Sequence, residues 1–300
     1  MGFGICHCVE LNVLYEVPSY SKAVVSCMEE ESLKPKTWGT CWDYFGQRLV
    51  DLVQPTLGAH VLDVGTGGGA SLYPAAERVG PKGHVTGIET CEGCFNRTSG
   101  EIKRCGISNA EVLFMDAREM TFDDKSFDII TSGFIGWDDC FDFDQNKHIA
   151  PDEIMSEIFH VLKRGGRAAI SGWAKADETA IMRNLLYEYL PLDSPHRKSI
   201  AGWSHRETSE GWHSIFSKAG FIDIKTMVEH YDMVYTSEEE WWEEFVGQDW
   251  MEVMKELRQK GIITIEELKD LALAVLKKHK KADGIHQARD AVLAIGTKPE

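Results

Sequence analysis

The stretch Val61-Leu62-Asp63-Val64-Gly65-Thr66-Gly67-Gly68-Gly69 reads as a buried strand that runs straight into a glycine loop. Glycines at such a turn let the backbone bend sharply and approach a ligand where a Cβ would collide. A helix is expected next, and its first N–H groups, lacking partners within the helix, favour a carboxylate or phosphate at that spot. Gly65-x-Gly67-x-x-Ala70 fits a dinucleotide fingerprint as well as a nucleoside cradle, so the glycines alone leave two ligand classes open.

The acids discriminate between the two. Asp63 lies near the end of the first strand, Glu89 closes a second (His84-Val85-Thr86-Gly87-Ile88-Glu89), and Asp116 closes a third (Val112-Leu113-Phe114-Met115-Asp116). Three carboxylates at one sheet edge would repel a pyrophosphate. They would accept hydrogen bonds from an ammonium, ribose hydroxyls and an adenine amino group.

Outward from this loop, strand-like segments come at 61–64, 85–89, 112–115, 127–132, 167–173, about 222–234 and 291–297, with helical periodicity between them. One helix begins after Pro151, carries Ile154, Ile158 and Leu162 on one face and ends at Gly165; another shows Trp212, Ile215, Phe216 and Ala219 and stops at Gly220. The alternation predicts an α/β fold with a doubly wound, seven-stranded, mostly parallel sheet. Residues 1–57 read as a helical cap, with Trp38, Trp42, Phe45, Leu49 and Leu52 at helical spacing before Pro55, a stripe expected to pack as core. Helical inserts are expected at 176–207, placed as a substrate lid over the crevice, and at 236–281 within the 208–300 remainder of the core, where packing or a homodimer contact stands beside substrate contact.

At these residues the chain resembles the class I S-adenosylmethionine-dependent methyltransferases, in particular the branch with the ubiquinone and menaquinone biosynthesis C-methyltransferases. The resemblance spans roughly 58–175, the cofactor-binding core, and the last strand. It rests on Val61 to Gly69, Glu89, Met115-Asp116-Ala117, the Phe122-Asp123-Asp124-Lys125-Ser126-Phe127-Asp128 approach to the fourth strand, and the Leu162-Lys163-Arg164-Gly165-Gly166-Arg167 turn, where Arg164 stands in place of a frequent proline. It implies a Rossmann-like methyltransferase fold and S-adenosylmethionine as cofactor. It also implies roles: Gly65, Thr66 and Gly67 around the methionine moiety, Asp63 supporting the loop and the ammonium, Glu89 with Thr90 at the ribose, Asp116 and Ala117 at the adenine, Ser132 and Gly133 near the sulfonium. The rival readings are a dinucleotide-dependent oxidoreductase and a non-catalytic S-adenosylmethionine-binding module.

The long connection from Ser132 to His148 should border both the methyl group and the acceptor. Its aspartates and its one histidine make Asp139 and His148 the candidates for proton removal or acceptor orientation, against the alternative of a solvated acidic border. Methyl transfer from a sulfonium needs positioning above all, so a base is optional.

Composition excludes several classes. A net charge of −16 over 300 residues argues against nucleic acid as acceptor and leaves a small molecule. No apolar run reaches the roughly 20 residues of a membrane span, and the start lacks a signal-peptide pattern, so the cytoplasm is expected. Lys277-Lys278-His279-Lys280-Lys281 is read as charge complementing the end of a helix opened by Thr264-x-x-Glu267. Among the 8 cysteines only Cys91-x-x-Cys94 forms a convincing pair, with Cys105 beyond it and Cys6-His7-Cys8 near the start; the expectation is free thiols in a reducing compartment and no metal.

Overall fold

The computed structural model describes residues 41–134, 141–142, 147–148, 151–174, 180–194, 196–197, 208–247 and 251–300. Trp38, Cys6, His7, Cys8 and Asp139, singled out in the sequence, lie outside them.

Apolar, largely β-branched segments with no polar face form the central strands, as expected where helices cover both sides of a sheet. The main strands are β1 (His60–Val64), β2 (His84–Glu89), β3 (Ala110–Phe114), β4 (Phe127–Gly133), β5 (Leu162–Trp173), β6 (Ile222–Tyr235) and β7 (Gly284–Thr297). Their order in the sheet is β3-β2-β1-β4-β5-β7-β6. The pairings from β3 through β5 are parallel, and β7 runs antiparallel to both neighbours. The chain leaves β1 toward β2 on one side and returns at β4 on the other, which opens a crevice beyond the C-terminal ends of β1 and β4.

Helices α1 (Cys41–Val53), α2 (Leu72–Val79) and α3 (Glu92–Arg104) pack in one layer on the same face of the sheet. One core layer joins Phe45, Leu49, Val53, Leu72, Val79 and Ile102 to Val61, Val85, Ala169 and Leu293. The opposite layer joins α4 (Pro151–Val161) and the helix at Ser209–Ala219 through Ile158, Trp212 and Phe216 to Leu62, Ile130 and Ile170. Trp212 is fully buried. Burying an aromatic side chain removes roughly 150–250 Å² from water, about 4–6 kcal/mol at ~25 cal/mol/Å² before entropy is counted. Gly172 makes room for it, since a Cβ there would come within 3.0 Å of the indole.

Three elements depart from the expected boundaries. β5 begins at Leu162 because the glycine turn is stitched to the last strand: Gly165 N–H donates to Lys298 O (2.9 Å) and Lys298 N–H to Gly166 O (2.9 Å). β7 begins at Gly284 rather than 291, paired with β6 from Ile285↔Tyr235 onward. Its early half hid in the sequence because its inward face carries Gln287 and Arg289, 1% and 6% exposed. The connection after β4 contains a short antiparallel pair, Phe141–Asp142 with Lys147–His148.

The two inserts pack together. Leu186 and Leu190 of the helix Ala180–Tyr189 share a core with Trp241, Trp242, Met254, Leu257, Leu268, Ala272 and Leu276 of the later insert, and with Tyr235 and Ile285 at the extended ends of β6 and β7. The helix Ile265–Leu276 opens with the expected capping box: Thr264 Oγ1 accepts from Glu267 N–H and Glu267 accepts from Thr264 N–H. The basic run follows this helix as a short 3-10 turn and strand, and no basic residue stands in the helix's own last turn. Lys280 pairs with Glu238 at 3.2 Å.

Candidate active site

The glycine loop is built on the end of β1. Gly65 and Thr66 N–H both donate to Ile88 O at 3.0 Å, and Gly69 N–H closes a turn on Thr66 O at 2.8 Å. Gly65, Gly67 and Gly69 have φ of 69°, 51° and 87°, a region that L side chains avoid. In front of Gly67 the space is open: a Cβ there would find its nearest neighbour 4.0 Å away.

Asp63 sits behind the loop. It is 0% exposed. Its Oδ1 accepts from Ser71 Oγ (2.6 Å) and Thr131 Oγ1 (2.8 Å), and its Oδ2 from Thr66 Oγ1 (2.7 Å). Burial pushes its carboxyl pKa up, and the hydrogen bonds from Ser71, Thr66 and Thr131 oppose that shift. The side chain is a brace between β1, β4 and the start of α2. This is the support of the loop expected of it.

Glu89 is the carboxylate that faces the loop. Its Oε2 accepts from Gly67 N–H at 2.9 Å, and its Oε1 accepts from Thr90 N–H (2.9 Å) and Cys91 N–H (2.8 Å). Thr98 on α3, 1% exposed, donates from Oγ1 to Gly67 O at 2.6 Å. Both polar groups of the Gly67 backbone are therefore held, one by the end of β2 and the other by α3.

Asp116 follows β3, with Met115 N–H donating to Glu89 O at 3.1 Å. Its carboxylate takes a forked contact from Arg118 (Nε 3.0 Å, Nη2 2.5 Å) and the Arg118 N–H (2.8 Å). The Arg118 side chain holds its pKa below the usual carboxylate range, against burial. The three acids thus differ in their surroundings: Asp63 is buried, Asp116 is paired with Arg118, and Glu89 holds backbone N–H groups of the loop and of the turn after β2. Ala117 is half-buried beside Asp116.

At the end of β4, Ser132 is 0% exposed and turns its hydroxyl to Val64 O (3.1 Å), so only its backbone borders the crevice, with Gly133 after it. Phe134 has φ of 51°, uncommon for a residue with a side chain. Backbone of this kind persists where packing over-determines it, frequently at functional sites. The ring lies 4.3 Å from Trp173 at the end of β5 and 5.1 Å from Trp42 on α1, centroid to centroid, and all three are half-buried. Of the α1 stripe, Phe45 and Leu49 are core as expected, and Trp42 is partly buried against the same core.

Sequence reasoning missed Ser71, Thr98, Thr131, Phe134, Trp173 and Gly46. Ser71 could have been found as a polar residue at the helix start. Thr131 becomes visible only through the β1/β4 register, Asp63↔Thr131. At Gly46 a Cβ would fall 2.5 Å from the backbone of Ala70, so α1 is pressed directly onto the glycine loop. His148 is placed by its backbone, opposite Phe141. Among the described residues no group of three or more metal-ligating side chains gathers, and no helix is long and apolar enough to cross a membrane.

A parallel sheet with a glycine cradle after β1 and an acid closing β2 defines a nucleoside-cofactor enzyme of the doubly wound class. A methyltransferase-domain family model matches residues 56–220, more than half of the chain. The chain belongs to that family and is a class I S-adenosylmethionine-dependent methyltransferase. It is 29% identical over 187 residues to the aklanonic acid methyltransferase of a Streptomyces species, covering 58% of this chain and 79% of that protein. It is 33% identical over 137 residues to the demethylmenaquinone methyltransferase of Listeria welshimeri, covering 42% of this chain and 53% of that one, about half its length. The crystal structure of Bacillus subtilis YcgJ superposes with a TM-score of 0.56 at 16% identity, over 86% of this chain and 99% of that chain, which shows the shared fold.

The residues present fit the cofactor. The open face of Gly67 admits a ligand against the backbone, and Glu89 offers a carboxylate to hydroxyls.

Proposed function

We propose that the chain methylates a flat, quinone-like or otherwise aromatic small molecule held against Trp42, Phe134 and Trp173. The observation that carries this is the cluster of half-buried rings, Phe134 and Trp173 at the ends of β4 and β5 with Trp42 edge-on to both. Aromatic faces bind planar ligands by offset stacking and edge contacts. The names of the two relatives, an acid and a demethylated quinone, are compatible with such an acceptor.

S-adenosylmethionine supplies a methyl group on a sulfonium, which leaves as a neutral thioether. Gly65, Thr66 and Gly67 place backbone around its methionine part, Glu89 and Thr90 take the ribose, Asp116 and Ala117 border the adenine, and the Ser132–Gly133 backbone lies near the sulfonium. Asp63 acts through the loop it braces. The chain's main work is to align the acceptor atom with the methyl carbon and keep water out, an effect of about 7–11 kcal/mol at best. Asp139 and His148 are the groups for removing a proton from an oxygen or carbon acid. The 176–207 segment covers the acceptor. The cytosol is the compartment, in keeping with 8 cysteines in the chain. A homodimer would use the 236–281 insert, where Ile262, Leu271 and Val275 are exposed, and a monomer mass by light scattering would rule it out.

The test incubates the protein with S-adenosylmethionine labelled in the methyl group and a panel of hydroxynaphthoquinones beside aliphatic acceptors of equal polarity, and reads the products by mass spectrometry. Label should enter the flat acceptors, and Trp173→Ala should raise their KM more than it lowers kcat. Equal labelling of aliphatic acceptors refutes the reading.

A further inference from the structure

Cys91 and Cys94 stand where the cofactor site meets the first turn of α3. Cys91 is the helix N-cap, half-exposed, and its Sγ accepts from Cys94 N–H at 3.5 Å. Cys94, 6% exposed, lies beneath it with Arg97 Nη2 3.6 Å from its sulfur. An N-cap residue and the third residue of its helix are the two partners of a capping box, held close by the helix geometry itself. Such spacing brings two Cα atoms within the roughly 4.4–6.8 Å that a disulfide spans.

Both grips on Gly67 run through this turn. Cys91 N–H holds Glu89, which holds Gly67 N–H; Thr98, one helical turn after Cys94, holds Gly67 O. We infer that Cys91 and Cys94 are a thiol–disulfide pair whose closure weakens cofactor binding by re-aiming these two grips.

The chemistry needs a small-molecule disulfide such as oxidised glutathione as oxidant. The half-exposed Cys91 thiolate attacks one sulfur, and the S–S bond breaks to release one glutathione thiolate. The Cys94 thiolate then attacks Cys91 Sγ in the mixed disulfide and expels the second. Two protein thiols are oxidised, one disulfide is reduced, and the protons from the protein thiols end on the two glutathione thiolates. In the product Cys91 Sγ turns to Cys94 and leaves the helix N–H it capped. The Thr90–Cys91 turn is reset, and with it the Glu89 carboxylate.

The inference rests on Glu89 as a cofactor contact. The full chain is equilibrated in glutathione buffers from reduced to oxidised, alkylated for peptide mass mapping, and titrated with S-adenosylmethionine by calorimetry. Cys91 and Cys94 should become protected from alkylation together, with the loss of two hydrogens. S-adenosylmethionine affinity should fall about fivefold or more and return on reduction. Cys94→Ser should bind as the reduced wild type does, within about twofold, and ignore the oxidant; Cys105→Ser should still respond. Absence of the disulfide in excess oxidised glutathione overturns the proposal. So does a disulfide that leaves affinity within about twofold or tightens it. Glu89→Gln, titrated in parallel, separates the two readings, because unchanged affinity in that variant means the Glu89 placement itself failed.

Discussion

Replacing Asp63 tests the brace behind the glycine loop. Asp63→Ala leaves the hydroxyls of Thr66, Ser71 and Thr131 without their acceptor. Each buried polar group so orphaned costs about 1–3 kcal/mol, partly offset by removing a buried charge, so a net loss of about 3–6 kcal/mol is expected. That is a large part of the about 5–15 kcal/mol that stabilises an ordinary protein. Asp63→Asn differs. Its amide oxygen can still accept from Ser71 and Thr131, while its NH₂ donates to Thr66, whose hydroxyl reverses. The hydrogen bonds survive and the buried charge is gone. Urea unfolding at pH 7 should therefore place Asn within about 1 kcal/mol of the wild type. The sign of the pH effect follows from the raised carboxyl pKa. The folded state binds the proton more tightly, so the wild type gains stability relative to Asn as pH falls through the folded value, and the gain is complete below the unfolded value near 3.8. By calorimetry Asp63→Asn should bind S-adenosylmethionine within about threefold of the wild type, because loss of a direct charged contact would cost about 1.5–3 kcal/mol, ten- to a hundredfold. A drop of that size would refute the reasoning and make Asp63 an ammonium contact.

Gly46→Ala should cost about 1–3 kcal/mol by pushing α1 off Ala70, although alanine is the better helix former; thermal denaturation reads it, and no change would show that the loop yields. Glu89→Gln should weaken S-adenosylmethionine binding about ten- to a hundredfold with the melting temperature little changed, since the amide keeps part of the Gly67, Thr90 and Cys91 contacts. His148→Ala or Asp139→Ala should lower turnover of the identified acceptor about tenfold or more, remove one limb of the pH–rate profile and spare cofactor affinity; full turnover in both would leave the chemistry to proximity alone. Protein purified without chelator should carry no stoichiometric zinc or iron by metal analysis, and one tightly bound ion per chain would reopen Cys91 and Cys94 as ligands.

What the sequence by itself determined is local. The strand into Gly65, Gly67 and Gly69, the acid closing β2, and the caps at Thr264 and Gly220 are read from neighbours in the chain, because backbone conformation and capping are decided within a few residues. The family's fold was legible for the same reason, through periodicity broken at glycines and prolines. What the tertiary structure decided is pairwise and distant. Register put Thr131 beside Asp63 and gave that acid one of its three hydroxyl partners. A single long antiparallel pairing made strand of the polar-looking 284–290. Two inserts separated in the chain by the helix Ser209–Ala219 and β6 became one helical core because neither buries enough apolar surface alone. Charge shows the difference most plainly: Asp63, Glu89 and Asp116 look alike in sequence, but burial, an open loop and Arg118 give each a different carboxylate, and those surroundings exist only in the folded chain.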